Sequence, residues 1–525
     1  MGEQRPGGTL EQFSDFLGPE RSSRPDVASG TYDGRYTIFP APDRDPGANG
    51  SADARVQTDV YEYHWSHLMQ GNRLDDLWPT VRRVLFPVSG TWWRALALLL
   101  LAAVAGAVVW QEYPVGGPEP RWVGYAALGA ALVLLLAVLW RWVPPNLRGL
   151  WVLLWGVIVG GAWLVAWLVV DRADELGAGL ETGGALAAVV AVVGGGAAVT
   201  FIVAFVVTRV LPSWLTASFV DVVRYVDTSP RSYAVRTEIR KGMVDLLERL
   251  HTETSGDEPR YHRIVVLGHS LGSFIAYDGI RALWVLRRAH LTVPVAHQDV
   301  LARVTHAARR LDDGGEDAAE FRSGQRDLWE VLDSRWRITD FVSFGSPLTF
   351  AHMLVTRDER TFERWCRDRV LVTSPPVPDD ATPGVPFRLT RKQRDTSTVG
   401  VLHESAPFAV VRWTNLYYRA RMSFFGDWFG GPLARRFGRG VLDLDVPGDG
   451  WRAWMPAWAH ALYLTSRARA RTATKPTFRD LVLQHVDLDL LGRTTIPGAS
   501  ARHPQSVPGM AVPHMPASNA PVPSR

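Results

Sequence analysis

The sequence is poor in cysteine, with Cys366 as its single thiol among 525 residues. One thiol excludes an intramolecular disulfide framework and a metal site built from several cysteines. A lone cysteine is most simply a small buried hydrophobic residue, so we assign Cys366 no role.

The chain also lacks a secretory signal and a nucleic-acid-binding signature. Its N-terminus, MGEQRPGGTLEQF, has no apolar core of the kind that secretion requires. The formal charge is only +4, from 57 basic and 53 acidic residues, and no basic block alternates with aromatic residues. A solvated surface explains this balance better than nucleic-acid binding does. The sequence contains no Walker-type phosphate loop.

Apolar residues are concentrated between positions 92 and 208. Four segments there are long and apolar enough to span a bilayer, namely 92–110, 122–140, 150–170 and 183–208. Tryptophans lie at several of their ends, as expected of residues at a membrane interface. No ionisable residue lies in the middle of a span, which argues against a transport path.

Charges in the connecting loops predict the orientation of these spans. Acidic residues outnumber basic ones in the first and third loops, whereas the middle loop carries Arg141 and Arg148. Positive charge favours the cytoplasmic side. We therefore predict that both large flanking parts, and both termini, are cytoplasmic.

The segment RIVVLGHSLGSFIAYD contains Ser270 between two glycines. A helix beginning at Ser229 precedes it, a short apolar strand leads into Gly268, and a helix follows from Ser273. In such a strand–turn–helix elbow the serine is strained and exposed, and the glycines allow strand and helix to approach closely. This context favours a nucleophile over a tight turn that happens to hold a serine. We interpret His269 as a packing or orienting residue.

At this point the chain resembles the α/β-hydrolase superfamily, specifically its lipase- and esterase-like members. Three later segments fit the resemblance, namely ITDFVSFGSPLTF, FAVVRWTNLYY and WAHALYL. The resemblance covers about 213–490 and, less securely, 1–85. It implies an α/β fold with a mostly parallel sheet flanked by helices, interrupted by the four-helix transmembrane insertion. It implies no metal and no organic cofactor.

In this fold the catalytic triad occurs in the order serine, acid, histidine. After Ser270 we choose Asp427, in FFGDWFGGPL, as the acid that holds the imidazole tautomer. We choose His460 as the general base that takes the proton of Ser270 and returns it to the leaving group. The alternatives left open are Asp443 and Asp445 for the acid, and His403 and His485 for the base.

The resemblance also implies an oxyanion hole formed by backbone N–H groups. One donor is expected from Leu271, directly after the nucleophile. The other is expected near Gly2, because MGEQRPGGTL looks like the continuation of an oxyanion loop. The strand and His-Gly that precede this loop in related sequences are missing. Either the coding sequence starts further upstream, which we expect, or this protein builds the sheet without that strand.

The predicted organisation has four parts. Residues 1–90 form the N-terminal part of the hydrolase domain, residues 91–209 form the transmembrane helices, and residues 210–492 form the main domain. Within the main domain, 287–337 is a lid or a solvated insertion. The fourth part, residues 493–525, is a disordered Pro-rich tail. TLEQFSDFL predicts an amphipathic helical turn or two, and YTIFPAP and RVQTDVYEYHW predict strands of the main sheet. His64 and His67 are expected to be surface or packing residues.

The predicted function is that of a membrane-anchored serine hydrolase that cleaves carboxylic esters. Location near the cytoplasmic leaflet favours a lipid or other acyl ester as substrate, and the bilayer is the only partner that the sequence indicates. An acyltransferase or a thioesterase would use the same triad. An inactive membrane scaffold with a hydrolase fold is the alternative from another class. The sequence gives no indication of oligomeric state.

Overall fold

The computed structural model describes most of the chain after position 212 and short parts before it. The described residues are 8–17, 21–24, 35–38, 58–69, 213–227, 229–288, 291–312, 318–332, 336–356, 358–378, 388–392, 398–420, 426–447, 458–464 and 476–485, with the single positions 140, 148, 151, 152 and 156.

The described residues contain both strands and helices. The strands are β1 Arg21–Arg24, β2 Arg35–Ile38, β3 Thr58–Tyr61, β4 Thr254–Ser255, β5 Glu258–Pro259, β6 Ile264–His269, β7 Ile338–Phe344, β8 Arg388–Lys392, β9 Thr398–Leu402, β10 Arg412–Tyr417 and β11 Leu442–Asp445. The helices are α1 Gly8–Leu17, α2 Ser213–Val226, α3 Pro230–Thr252, α4 Leu271–Arg287, α5 Gln298–Asp312, α6 Ala318–Val331, α7 Ala351–Leu354, α8 Glu359–Arg367, α9 Ala434–Phe437 and α10 Phe478–His485.

The main sheet has four parallel strands in the order β11-β10-β7-β6. Every residue of β7 is buried, as expected of a central strand in a parallel sheet that is covered on both faces. The predicted strands around positions 264, 338 and 412 are therefore present, and they share one direction. The coarse prediction of an α/β fold with a parallel sheet flanked by helices is confirmed.

The N-terminal strands form a different sheet from the one predicted. The segments YTIFPAP and RVQTDVYEYHW contain β2 and β3, but these pair antiparallel with each other and with β1. Placing them in the main sheet was wrong. Alternating apolar residues identify a strand, whereas its pairing partner depends on which neighbour is closest in the folded chain. The predicted helical turns in TLEQFSDFL are present as α1.

Helices α3 and α4 pack closely beside β6. The hydroxyl of Ser229 accepts a hydrogen bond from Ser232 N–H, and Pro230 occupies the first turn, so α3 begins where the sequence predicts. A Cβ added to Gly279 of α4 would lie 2.6 Å from Cγ of Met243 on α3. This contact explains why α4 carries a glycine in its interior.

Two groups of buried side chains stabilise the domain. In the larger one, the ring of Trp413 lies 4.8 Å from the ring of Phe408 and 5.1 Å from that of Phe341. The smaller one lies at the carboxyl ends of the strands and includes Phe344 of β7 and Tyr463. Aromatic pairs of this kind contribute about 1 kcal/mol each beyond the area that they bury.

The segment 287–337 contributes α5 and α6, two helices that pack against each other. On α6, the side-chain amide of Gln325 is fully buried and donates to the carbonyl oxygens of Phe408 and Val411. These contacts fix α6 near the amino end of β10, whereas Ser270 follows the carboxyl end of β6. A lid role for this segment stays a prediction.

No helix within the described residues is long and apolar enough to cross a membrane. The four predicted spans lie outside those residues except for single positions. Among these positions, Trp151 is buried in the larger core group, and its ring meets that of Trp140 edge-on at 6.1 Å. The guanidinium of Arg148 lies 4.9 Å from the centre of the Trp140 ring. The polypeptide around the predicted middle loop therefore contacts the α/β domain.

Candidate active site

Ser270 lies at the sharp turn between β6 and α4. Its backbone angles are φ 53° and ψ −128°, a conformation that side-chain-bearing residues rarely adopt. A Cβ on Gly268 would lie 2.6 Å from Cα of Ser273, so strand and helix approach as closely there as predicted. The same reason does not hold for Gly272, around which a Cβ would meet no described atom within 4 Å.

Hydrogen bonds hold the elbow in this conformation. The N–H of Ser270 donates to the carbonyl of Phe344 at 3.1 Å. The hydroxyl of Ser273 donates to the carbonyl of Ser270 at 2.6 Å, and it lies 2.6 Å from the hydroxyl of Ser346. Because the Ser273 proton is used on Ser270, Ser346 must be the donor in the second bond. The strained serine is thus supported from β7 and from the turn that follows it.

Asp427 and His460 form a buried pair, and both side chains are fully inaccessible to solvent. The Nδ1 atom of His460 lies 3.1 Å and 3.2 Å from the two carboxylate oxygens of Asp427. Because an ionised carboxylate only accepts hydrogen bonds, Nδ1 carries a proton, and Nε2 is the ring nitrogen left for another partner. Within the described residues, Nε2 of His460 has no hydrogen-bond partner.

Two further groups orient the Asp427 carboxylate. The hydroxyl of Tyr463 donates to Oδ2 at 2.8 Å, and the N–H of Phe429 donates to Oδ1 at 2.8 Å. Burial alone would raise the pKa of Asp427, but the neighbouring His460, the Tyr463 hydroxyl and the N–H of Gly430 lower it below its usual value. Burial and the charge of Asp427 raise the pKa of Tyr463, so its hydroxyl remains a donor. Asp427 is therefore ionised at neutral pH.

Gly345 connects the serine to the acid–base pair. It follows Phe344, whose carbonyl accepts from Ser270, and a Cβ at Gly345 would lie 3.1 Å from ring atoms of His460. The positive φ of 54° at Gly345 also favours glycine. In addition, the ring of His269 lies 5.0 Å from the ring of His460. His269 and Gly345 thus connect the Ser270 elbow to the Asp427–His460 pair at the carboxyl end of the sheet, and within the described residues no hydrogen bond joins Ser270 to Nε2 of His460.

The two predicted oxyanion donors have different outcomes. Leu271 is the first residue of α4, so its N–H is among those that a helix leaves without an internal acceptor. The N-terminus of a helix favours negative charge, which suits a developing oxyanion beside Ser270. Gly2 lies outside the described residues, and its role stays a prediction.

The rival acids have structural partners of their own. The carboxylate of Asp443 accepts from the N–H groups of Leu433 and Ala434 and from the amide of Asn415, so it caps α9. Asp445 forms an ion pair with Arg419, whose side chain is largely exposed. Within the described residues, Asp427 is the acid among these three that contacts one of the proposed bases.

The rival histidines lie in other environments. The Nδ1 atom of His403 accepts from the N–H of Ser405, and this contact belongs to a buried turn. His485 ends α10, where burial and the charges of Arg322 and Arg412 lower its pKa. His64 and His67 stack on each other with ring centres 5.6 Å apart, as suits the predicted packing role.

Sequence reasoning missed Tyr463, Ser346 and the requirement for Gly345. Tyr463 follows His460 by three residues, and Gly345-Ser346 belongs to the Gly-Ser-Pro turn, but neither position shows its partner in the sequence. Each of them contacts a residue that lies far away along the sequence. Tyr463, for example, contacts a carboxylate 36 positions earlier.

No group of three or more His, Cys, Asp and Glu side chains in the described part of the chain is suited to bind a metal ion. The expectation of a site without metal or cofactor stays a prediction. Comparisons of the chain with protein-family models, with curated proteins and with solved structures found no match. The chemistry of the site therefore has to be inferred from the residues that form it.

Proposed function

We propose that the protein is a serine hydrolase of the α/β-hydrolase type that cleaves carboxylic esters. The observation that carries this proposal is the strained backbone of Ser270, together with the buried Asp427–His460 pair to which its neighbour His269 is hydrogen-bonded. Holding a non-glycine residue in such a conformation costs about 1–3 kcal/mol. A scaffold without activity would gain nothing from this strained conformation, and the strain therefore weighs against the scaffold alternative.

The reaction proceeds through an acyl-enzyme. Nε2 of His460 takes the Ser270 proton while Oγ attacks the ester carbonyl carbon and forms a tetrahedral oxyanion. The oxyanion collapses, the C–O bond to the alcohol breaks, and His460 returns the proton to the departing alkoxide. A water molecule then repeats the sequence and releases the acid. Asp427 stabilises the imidazolium that forms in each half.

The oxyanion is stabilised by backbone donors in this proposal. The N–H of Leu271 and the N-terminus of α4 face the turn from which Oγ attacks. Loss of one such donor typically lowers kcat by about 10²–10³-fold. The second donor is assigned to the region of Gly2, as the resemblance implies.

The substrate is proposed to be a lipid or another acyl ester at the cytoplasmic face of a membrane. The four segments between 92 and 208 would anchor the hydrolase beside its substrate. Trp151, at the start of the third of these segments, is buried in the domain core, so this end of the segment would lie beside the hydrolase domain and not within the bilayer. Two predicted spans precede the middle loop and two follow it, so the loop lies on the same side of the membrane as both flanking parts. The contact between Trp151 and the domain core requires this placement.

Covalent labelling of Ser270 tests the enzymatic proposal. We expect a fluorophosphonate probe to label the full-length protein in membranes and Ser270→Ala to abolish the labelling together with hydrolysis of p-nitrophenyl butyrate. Ser255, an exposed serine in the β4–β5 turn, offers a matched control, and Ser255→Ala should label like the wild type. A wild-type protein that does not label, or Ser270→Ala with full esterase activity, would contradict the proposal.

Thiol labelling tests the location. Burial raises the pKa of Cys366 to about 12, so the native thiol reacts slowly. Gly116→Cys lies in the first predicted external loop and Asn146→Cys in the middle loop. We expect a membrane-impermeant maleimide to label the first variant in intact cells and the second only after permeabilisation. The opposite pattern would place the hydrolase outside the cell.

A further inference from the structure

His269 precedes Ser270 and contacts the segment that carries the general base. Its ring stacks on Phe344 with centres 5.0 Å apart and planes 12° from parallel. Its Nε2 atom lies 3.0 Å from the main-chain carbonyl oxygen of His460. The residue next to the nucleophile is thus hydrogen-bonded to the backbone of the base.

The hydrogen bond assigns the tautomer of His269. A carbonyl oxygen only accepts, so Nε2 must carry the proton. Burial, and then the neighbouring His460, lower the pKa of His269 to about 3. His269 therefore stays neutral at the pH values where an esterase works, and it places no positive charge 5.0 Å from the ring of His460.

The position of His460 relative to β6 depends on side-chain contacts. His460 lies in a short 3₁₀ helix, Trp458–Ala461, which belongs to none of the sheets. Its ring is held on one side by Asp427, which follows β10 along the chain. The contact from His269 holds the backbone of the same residue from the β6 side. Together the two contacts determine where His460 lies relative to β6 and to Ser270 at its end.

We propose that His269 is a positioning residue, which holds the general base in place relative to the Ser270 elbow through the hydrogen bond to the His460 carbonyl. This inference rests on the proposed hydrolase function. A displacement of about 1 Å between reacting groups can lower a rate by about 100-fold, so a bond that holds the base in place affects kcat more than substrate binding.

Two substitutions separate the hydrogen bond from the packing. His269→Phe keeps a flat ring against Phe344 but removes the donor, whereas the amide of His269→Gln presents an N–H near the position of Nε2. For p-nitrophenyl butyrate we expect His269→Phe to lower kcat about tenfold with KM changed less than about twofold. We expect His269→Gln to recover kcat to within about threefold of the wild type. Fluorophosphonate labelling rates should follow the same order.

His403→Phe is the matched control, because His403 is a fully buried histidine whose Nδ1 contact is to Ser405. We expect it to lower the unfolding temperature and to leave kcat within about twofold of the wild type. If His269→Phe does not fold, His269→Asn replaces it. The shorter Asn amide does not reach the position of Nε2, so Asn should be slow where Gln is fast.

Three results would overturn the inference. In the first, His269→Phe labels and turns over at the wild-type rate. In the second, His269→Gln is as slow as His269→Phe or His269→Asn. In the third, the loss of rate follows the loss of thermal stability as it does in His403→Phe. A wild-type protein that neither labels nor hydrolyses overturns the proposed function as well, which distinguishes the two failures.

Discussion

Two fully buried aspartates lie at opposite ends of the main sheet. Asp340 is near the start of β7, bonded to the guanidinium groups of Arg263 and Arg412. Asp427, at the carboxyl end, is bonded to His460 and Tyr463. Burial would raise the pKa of both carboxyls, and their partners lower it in both.

The partners make the difference between the two sites. Arginine stays protonated at all working pH values, so the Asp340 cluster has one charge state and serves stability. Histidine has two ring nitrogens, so while Nδ1 of His460 is bonded to Asp427 its Nε2 is left to exchange a proton with another group. A buried carboxylate therefore does not indicate catalysis by itself. The feature that indicates catalysis is a histidine partner whose second ring nitrogen is unbonded and which is connected to a proposed nucleophile.

Exchanging the acid at the active site should have the largest effect. In Asp427→Asn the amide can donate to Nδ1 and so stabilise the wrong imidazole tautomer, and we expect kcat to fall by about 10³–10⁴-fold. The change in unfolding temperature should be small by comparison. Esterase assays and thermal melts measure both quantities. Asp443→Asn is the control, and equal rates for the two variants would remove Asp427 from the triad.

The corresponding change at the other end of the sheet should act on stability. Asp340→Asn leaves the charges of Arg263 and Arg412 uncompensated, and we expect a loss of about 3 kcal/mol in the free energy of unfolding. The rate per folded molecule should stay within about twofold of the wild type, because no reacting group is touched. Denaturant unfolding and active-site titration measure the two effects. A large loss of kcat with unchanged stability in Asp340→Asn would contradict the distinction between a structural aspartate at this end of the sheet and a catalytic one at the other.

The amino end of the sheet should also make stability depend on pH. His251 accepts from the N–H of Arg337, just before β7, and burial lowers its pKa to about 4. A histidine with a lowered pKa stabilises the fold fully above its ordinary pKa of about 6.5 and loses that contribution as the pH falls. We expect a decrease of about 2 kcal/mol between pH 6.5 and 4. Urea unfolding across this range should show a smaller slope for His251→Gln, and an unchanged slope would contradict the assignment.

The smallest effects should come from the hydroxyl groups that support each aspartate. Tyr463→Phe removes a donor to Asp427, and we expect kcat to fall about tenfold with little change in KM. Thr339→Val removes a donor to Asp340, and we expect a loss of about 1 kcal/mol in stability with kcat unchanged. Parallel kinetic and unfolding measurements on both variants test the pair. Similar kinetic losses in the two variants would show that the ends of the sheet are not functionally distinct.

Much of the main domain was predictable from local pattern. The strand before GHSLG, the helix after it and the start of α3 all follow from periodicity and capping residues that lie within a few positions of each other. The pairing of β2 and β3 was not predictable in the same way, because it depends on contacts that no local pattern records.

The site was predictable in part. Chain order in the resembling fold selected Asp427 and His460, but only the folded chain joins their side chains. Tyr463, Ser346 and Gly345 act across gaps that a single sequence does not connect. The close approach of strand and helix that was predicted to require Gly272 is not present there, because a Cβ at Gly272 would meet no described atom within 4 Å.

The backbone of Ser270 has a consequence for how this protein can evolve. A glycine at position 270 would relax the positive φ of 53°, so the chain could become more stable by losing the serine that we propose as its nucleophile. Drift without selection would favour that exchange. A serine that persists there among relatives of this chain would therefore record continued selection for activity at the expense of stability.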